Sequence, residues 1–149
     1  MAGPTARLIV HPEDGEAWLL LAQARRGVGN WASAISACRK AIDTDNPDIQ
    51  NRARYMCATI YQDHLDDHVN AILLLKKFIQ VAEKGSAQEE NARLRLAIGL
   101  IAIDNYMTAA VILDRLIETS SRATTVEKAR RIRRQLPSTP EGTAGSQKD

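Results

Sequence analysis

Small apolar residues return along this chain at helical spacing, and they do so in three related blocks. Read back from an alanine, the blocks are Gly29-Asn30-Trp31-x-x-Ala34, Asp66-Asp67-His68-x-x-Ala71 and Asp104-Asn105-Tyr106-x-x-Ala109. Beyond each alanine the order of residue types repeats: apolar at four steps (Cys38, Leu75, Leu113), basic at six (Lys40, Lys77, Arg115) and isoleucine at eight (Ile42, Ile79, Ile117). Upstream of each block an apolar residue precedes a second alanine, as Leu21-Ala22, Cys57-Ala58 and Leu96-Ala97. Self-similarity of this kind marks an array of repeated units.

Each unit reads as two helices. Trp18, Leu21 and Ala22 lie on one face of a helix in copy one, so that a small residue sits where a neighbouring helix must approach closely. The alanine of the second block plays the same part on the second helix. Between them a polar turn offers Gly, Asn or Asp, which tolerate the left-handed conformation that ends a helix. Trp31, Tyr106 and, in their place, His68 follow the turn. Copy two carries one residue more than the others between its two alanines. The pattern predicts helices near 12–27, 31–44, 48–64, 67–84, 87–102, 106–120 and 124–136. Pro12 is expected in a first turn, and Ser86-x-x-Glu89 and Thr124-x-x-Glu127 as capping boxes.

The three copies resemble the tetratricopeptide repeat family over roughly residues 12 to 120. Copy one carries Trp18, Leu21-Ala22, Gly29, Trp31, Ala34, Cys38 and Ala41. Copies two and three keep the small residues, lack the tryptophan, and have longer links than the usual ~34-residue unit. Phe78-Ile79 ahead of Ser86–Ala92 is similar to the longer-repeat branch found in bacterial envelope-assembly proteins. The resemblance implies an all-α fold, a right-handed α-solenoid of three helix–turn–helix repeats (about 12–46, 47–85 and 86–122) with a capping helix at 124–136. Val126, Ala129, Ile132 and Leu136 give that helix one apolar side and leave its bases to solvent.

At the chain's ends the pattern thins. Ala6–Asp14 reads like the tail of a second helix and the link after it, so residues 1–11 are expected to be a vestigial or truncated leading segment. Residues 137–149 show no apolar periodicity and are expected to be disordered. Leu8-Ile9-Val10 is too short for a signal-peptide core, and no apolar run is long enough for a membrane span. A cytoplasmic setting is expected, with the periplasm the alternative if the chain is a piece of a longer secreted protein.

Composition adds limits. Aromatics are 4% of the chain, which suits close helix packing, and a net charge of +2 implies no pull toward nucleic acid. Cys38 and Cys57 fall at inward positions of neighbouring helices and read as reduced core thiols. A metal site could be drawn on Asp63-His64-Leu65-Asp66-Asp67-His68, whose histidines stand at i and i+4. The run spans a turn, however, where a continuous helix is not expected, so no metal is assigned. His11 is the one histidine left, no Gly-rich phosphate loop exists, and the chain is read as a non-enzyme without a cofactor. Arg130, Arg131, Arg133 and Arg134 could dock an acidic surface or phosphates, but they also complement the end of a helix.

Function therefore rests on recognition. The resemblance implies that the first helix of each pair lines a concave groove for a partner's peptide or helix. Its groove positions carry over as Glu16, Leu19, Gln23 and Arg26, then Arg52, Tyr55, Met56, Thr59 and Gln62, then Asn91, Leu94, Arg95, Ile98 and Ile101. Chaperone-binding members clamp a terminal carboxylate with a two-Lys, two-Asn, one-Arg set. Here those positions read Leu19, Gln23, Met56, Asn91 and Arg95, of which the last two fit, so that clamp cannot form. The expectation is a scaffold or adaptor inside a protein assembly. The alternative is a self-associating structural module; a small-molecule substrate is not expected.

Overall fold

The computed structural model describes residues 3–137, and among them it contains helices and no strand. The chain runs α1 (Pro4–Val10), α2 (Gly15–Gly27), α3 (Trp31–Ile42), α4 (Pro47–His64), α5 (His68–Val81), α6 (Ala87–Ala102), α7 (Tyr106–Thr119) and α8 (Ala123–Arg134). The expected disordered tail lies, from residue 138 on, outside the described residues. No described helix is long and apolar enough to cross a membrane.

The three turns share one construction. A residue with positive φ, Gly29, Asp66 or Asp104, is followed by an Asx N-cap whose side chain accepts the N–H three residues on: Asn30 from Ser33, Asp67 from Asn70, Asn105 from Thr108. Glycine adopts such a φ at no cost, and Asp is among the few other residues that tolerate it. The same N-cap residue donates its own N–H back to the preceding helix, Asn30 to the Arg25 carbonyl (2.9 Å) and Asn105 to that of Leu100 (2.8 Å). Asp67 reaches back one residue further, to Tyr61 at 2.9 Å. The extra residue of copy two is thus absorbed in a wider last turn of α4, and the three-residue turn itself is unchanged.

Several helix starts follow from local chemistry. Asn46 caps α4 with Pro47 in its first position, and Ser86 accepts the Glu89 N–H at the start of α6. Two expectations fail. Pro12 lies outside α2, because Asp14 supplies the cap by accepting the Ala17 N–H; α8 begins at Ala123, ahead of Thr124, with no side-chain cap.

The chain divides into two compact units, Met1–Glu83 and Lys84–Asp149. In the first unit α2 packs on α3, α3 on α4 and α4 on α5; α2 also touches α4, and α1 leans on α2. In the second, α6 packs on α7, and α8 packs on both. All six marker alanines, Ala22, Ala34, Ala58, Ala71, Ala97 and Ala109, have no exposed surface. Each lets a neighbouring backbone come close, and the larger buried side chains around them, Ile60, Leu75 and Leu113, contribute about 1.5–3 kcal/mol apiece by leaving water. Cys38 and Cys57 are free thiols buried in the first unit's core. A hydrogen bond to Cys57, reinforced by burial, holds the Cys38 thiol well above the ordinary thiol range.

Candidate interaction surface

Counted from the marker alanine of each first helix, the expected groove positions separate by depth. Three steps before the alanine stand Leu19, Tyr55 and Leu94; Leu19 and Leu94 are buried and Tyr55 is half-buried. Met56, one step later in copy two, is buried as well. Leu19, Met56 and Leu94 are therefore core residues and leave the candidate surface. Tyr55 lays its ring against Phe78 of α5, centroids 5.1 Å apart and tilted by 51°, so much of its face is used within the fold. Arg95 is half-buried.

Other steps point outward. Six before the alanine come Glu16, Arg52 and Asn91, and one after it Gln23, Thr59 and Ile98; Arg52, Asn91, Gln23 and Ile98 are exposed, and Glu16 and Thr59 half-buried. Four after it are Arg26, exposed, and the half-buried Gln62 and Ile101. Within the first unit the Arg52 guanidinium lies 3.3 Å from the Glu16 carboxylate, joining the outer faces of α2 and α4. Both side chains keep nearly half of their surface in water, so the pair orients side chains and adds little stability. Thr59 turns its hydroxyl back to the Met56 carbonyl at 2.8 Å.

The histidine run is spent on structure. His64 stacks on Trp31 at 3.7 Å between ring centroids, nearly parallel, and His68 meets the Asp66 carboxylate at 2.7 Å. Tyr106 makes the matching contact, donating its hydroxyl to Asp104 at 2.8 Å. Both rings thus latch the left-handed residue of their own turn, and copy one, with Gly29 there, has no carboxylate to latch.

Sequence reasoning missed a hollow of about 860 Å³ in the first unit, where the links before α2 and before α4 face each other. Trp18, Pro12, Pro47 and Ile49 supply its apolar wall, and Glu13, Asp14, Glu16, Asp43 and Asp45 outnumber Lys40 on its rim. Asp14 is already paired with Arg7 at 2.7 Å, and the Trp18 indole donates to the Pro12 carbonyl. The Asp43–Asp48 run, dense in turn residues, was the one signal that could have marked the place.

On α8, Arg133 is held by Asp114 of α7 at 3.0 Å and Arg131 by Glu127 at 3.4 Å. Arg130 and Arg134 are exposed, with no ion-pair partner among the described residues. No family model matches the chain, and no curated protein does either.

Proposed function

We propose that this chain is a tetratricopeptide-like interaction module that binds a peptide or helical segment of another protein along the outer face of its first helices, without catalysis. One observation carries the reading. At the steps six before, one after and four after the marker alanine no residue is buried in any copy, whereas the alanine itself is buried in all three, and those steps bear Gln23, Arg26, Arg52, Gln62 and Asn91. Long amides and guanidiniums on a rigid helix face offer directional hydrogen bonds to an extended or helical segment. The repeated turn, a left-handed residue followed by an Asx cap, supports the family reading, as do the six buried alanines. A right-handed solenoid is the arrangement this reading implies.

The test is recovery of a partner from the native cell by the immobilised chain, followed by variants. Gln23→Ala with Arg26→Ala should weaken recovery with helicity retained, while Lys40→Ala and Lys77→Ala on the second helices should not. Tyr55→Phe keeps the ring against Phe78 and isolates the hydroxyl. Binding lost only on changing Arg130 and Arg134 would refute the reading and place docking on the basic helix.

A further inference from the structure

The hollow between the links before α2 and α4 carries carboxylates that its own side chains do not meet. Two of the acids on its rim are held from within the fold, Asp14 by Arg7 at 2.7 Å and Glu16 by Arg52 at 3.3 Å. Glu13 stands 3.4 Å from His11. Asp43 and Asp45 are exposed and have no ion-pair partner among the described residues, and the base that lines the hollow with them is Lys40. Position sharpens the excess. Asp43 is the C-cap of α3 and Asp45 follows it by two residues, so both stand where the helix dipole is already negative. The helix starts that open on the hollow do not offset this, because Asp14 takes the Ala17 N–H, Asn46 takes those of Asp48 and Ile49, and Pro47 has none to offer. The Thr44 hydroxyl bonds the Ala41 carbonyl at 2.7 Å, and the Trp18 indole bonds that of Pro12 at 2.8 Å. Beyond Lys40 and the Asn46 amide, what faces the hollow is negative charge beside the apolar surface of Trp18, Pro47 and Ile49.

That combination suits one kind of guest. A guanidinium carries donors and no acceptor, reaches two carboxylates with one fork, and stacks its plane on an aromatic ring with an apolar stem behind it. The other two copies place such a group at the same step inside the fold. Four residues before the marker alanine, where copy one has Trp18, stand Arg54 and Arg93, and each bonds a side chain of its own copy, Asn51 and Glu89, at 3.2 Å. Copy one puts a ring there in place of the cation. The two links are also set in advance: a Cβ on Gly15 would lie 2.7 Å from Thr44, and the Gln50 amide donates to the Thr44 carbonyl. Binding to a preformed wall loses little freedom. Residues 138–149 are a poor match in charge, with Glu141 and Asp149 against Lys148. We propose that the hollow takes an arginine side chain from an extended basic segment of another protein, its guanidinium between Asp43 and Asp45 and its stem on Trp18. The site lies at the start of α2, whereas Gln23 and Arg26 lie toward its other end.

The probes are three acetylated, amidated peptides, Gly-Ser-Xaa-Ser-Gly, in which Xaa is arginine, lysine or citrulline. The readout is the Trp18 indole N–H resonance of the full chain, told from that of Trp31 by Trp31→Phe. The arginine peptide should shift the signal to saturation with a dissociation constant of about 1 mM or below. The lysine peptide should bind more weakly, and the citrulline peptide, which keeps the shape and loses the charge, should not bind. Asp43→Asn with Asp45→Asn should raise the constant roughly fivefold or more, and Lys40→Ala, which removes the competing base, should lower it. Glu118→Gln in the second unit, and Gln23→Ala with Arg26→Ala, should leave it unchanged, so that failure here stands apart from failure of the first-helix reading. Equal binding of the citrulline and arginine peptides would overturn the proposal, as would an affinity indifferent to Asp43 and Asp45. So would the absence of any shift at about 10 mM arginine peptide. Self-association of the chain that the arginine peptide dissolves, and that Arg130→Ala with Arg134→Ala abolishes, would make the guest a second copy and overturn the assignment to another protein.

Discussion

The three copies meet the same structural demand with different chemistry, and the contrast between the first unit and the second is sharpest at one register step. Seven residues before the marker alanine, at the start of each first helix, stand Gly15, Asn51 and Glu90, and all three are buried. Each faces the end of its own copy's second helix. Gly15 presses its backbone against Thr44, just past α3. Asn51 donates an amide hydrogen to the Phe78 carbonyl in α5 at 3.3 Å. Glu90 accepts from the Ser120 hydroxyl at 2.9 Å, at the end of α7, and pairs with Arg122 at 3.2 Å. The first unit closes its helix pairs by close approach and a neutral amide, the second by a buried carboxylate. A buried charge is tolerable only with its bonds satisfied, and Arg122 serves both sides by also donating to the Gly85 carbonyl.

The largest expected effect follows from the tightest fit. A Cβ on Gly15 would lie 2.7 Å from Thr44 Oγ1 and 2.8 Å from Ile49 Cγ2, two walls on different segments. Gly15→Leu should cost about 3 kcal/mol through overpacking, read as a lower unfolding midpoint. Gly15→Ala should cost less, since alanine returns up to ~1 kcal/mol of helix propensity. An unchanged midpoint for both would mean that α2 and Thr44 are not in contact.

Removing the carboxylate at the equivalent step comes next. Glu90→Ala strips Ser120 and Arg122 of their shared acceptor and should cost about 2 kcal/mol, the range for bonds to charged groups. Glu90→Gln keeps the shape and one bond, and should fall between. Equal losses in the two variants would show that charge, not hydrogen bonding, closes the second unit.

How far the sequence carries depends on the range of the interaction involved. The alanines, the turns and the Ser86 cap were legible, because each is decided by residues within a few steps. Helix positions came within a few residues for the same reason. The division at Glu83 was not legible, since Ala82–Ser86 reads like any link between repeats. The resemblance carries groove positions over by register alone, which does not say how deep a side chain sits, and so it places Leu19, Met56 and Leu94 in a groove although the packing buries them. The exposed Val69 and Leu73 of α5 and Met107 and Val111 of α7 were not legible for the opposite reason: apolar residues at helical spacing look alike whether covered or bare. The Thr124 box lost to a start at Ala123, behind a link that Glu90 fixes from thirty residues away through Ser120.

The neutral version of the tie should be the weaker. Asn51→Ala removes the bond to the Phe78 carbonyl and frees Arg54 from the Asn51 oxygen it donates to at 3.2 Å. The expected cost is about 1 kcal/mol. A loss as large as that of Glu90→Ala would erase the proposed difference between the two units.

Acid should separate the units more finely. Glu89, beside Glu90, is pushed up by burial, but the Gly85 N–H, Arg93 and Lys84 outweigh this and hold its carboxyl below the ordinary value. A depressed folded-state pKa stabilises the fold above the unfolded pKa, and that contribution is lost as pH falls through the folded one. Asp14, lowered chiefly by the Ala17 N–H, and Asp67, lowered chiefly by the Asn70 side chain, add the same sign of dependence in the first unit. Denaturant unfolding should therefore show stability falling as pH drops from about 5 toward about 3. Glu89→Gln should flatten that fall by its own share and leave the remainder from Asp14 and Asp67. This is the smallest of the expected effects, a change of slope more than of midpoint. A pH profile that Glu89→Gln leaves unaltered would mean that the carboxylate's bonds to Gly85, Arg93 and Lys84 do not favour its charged form.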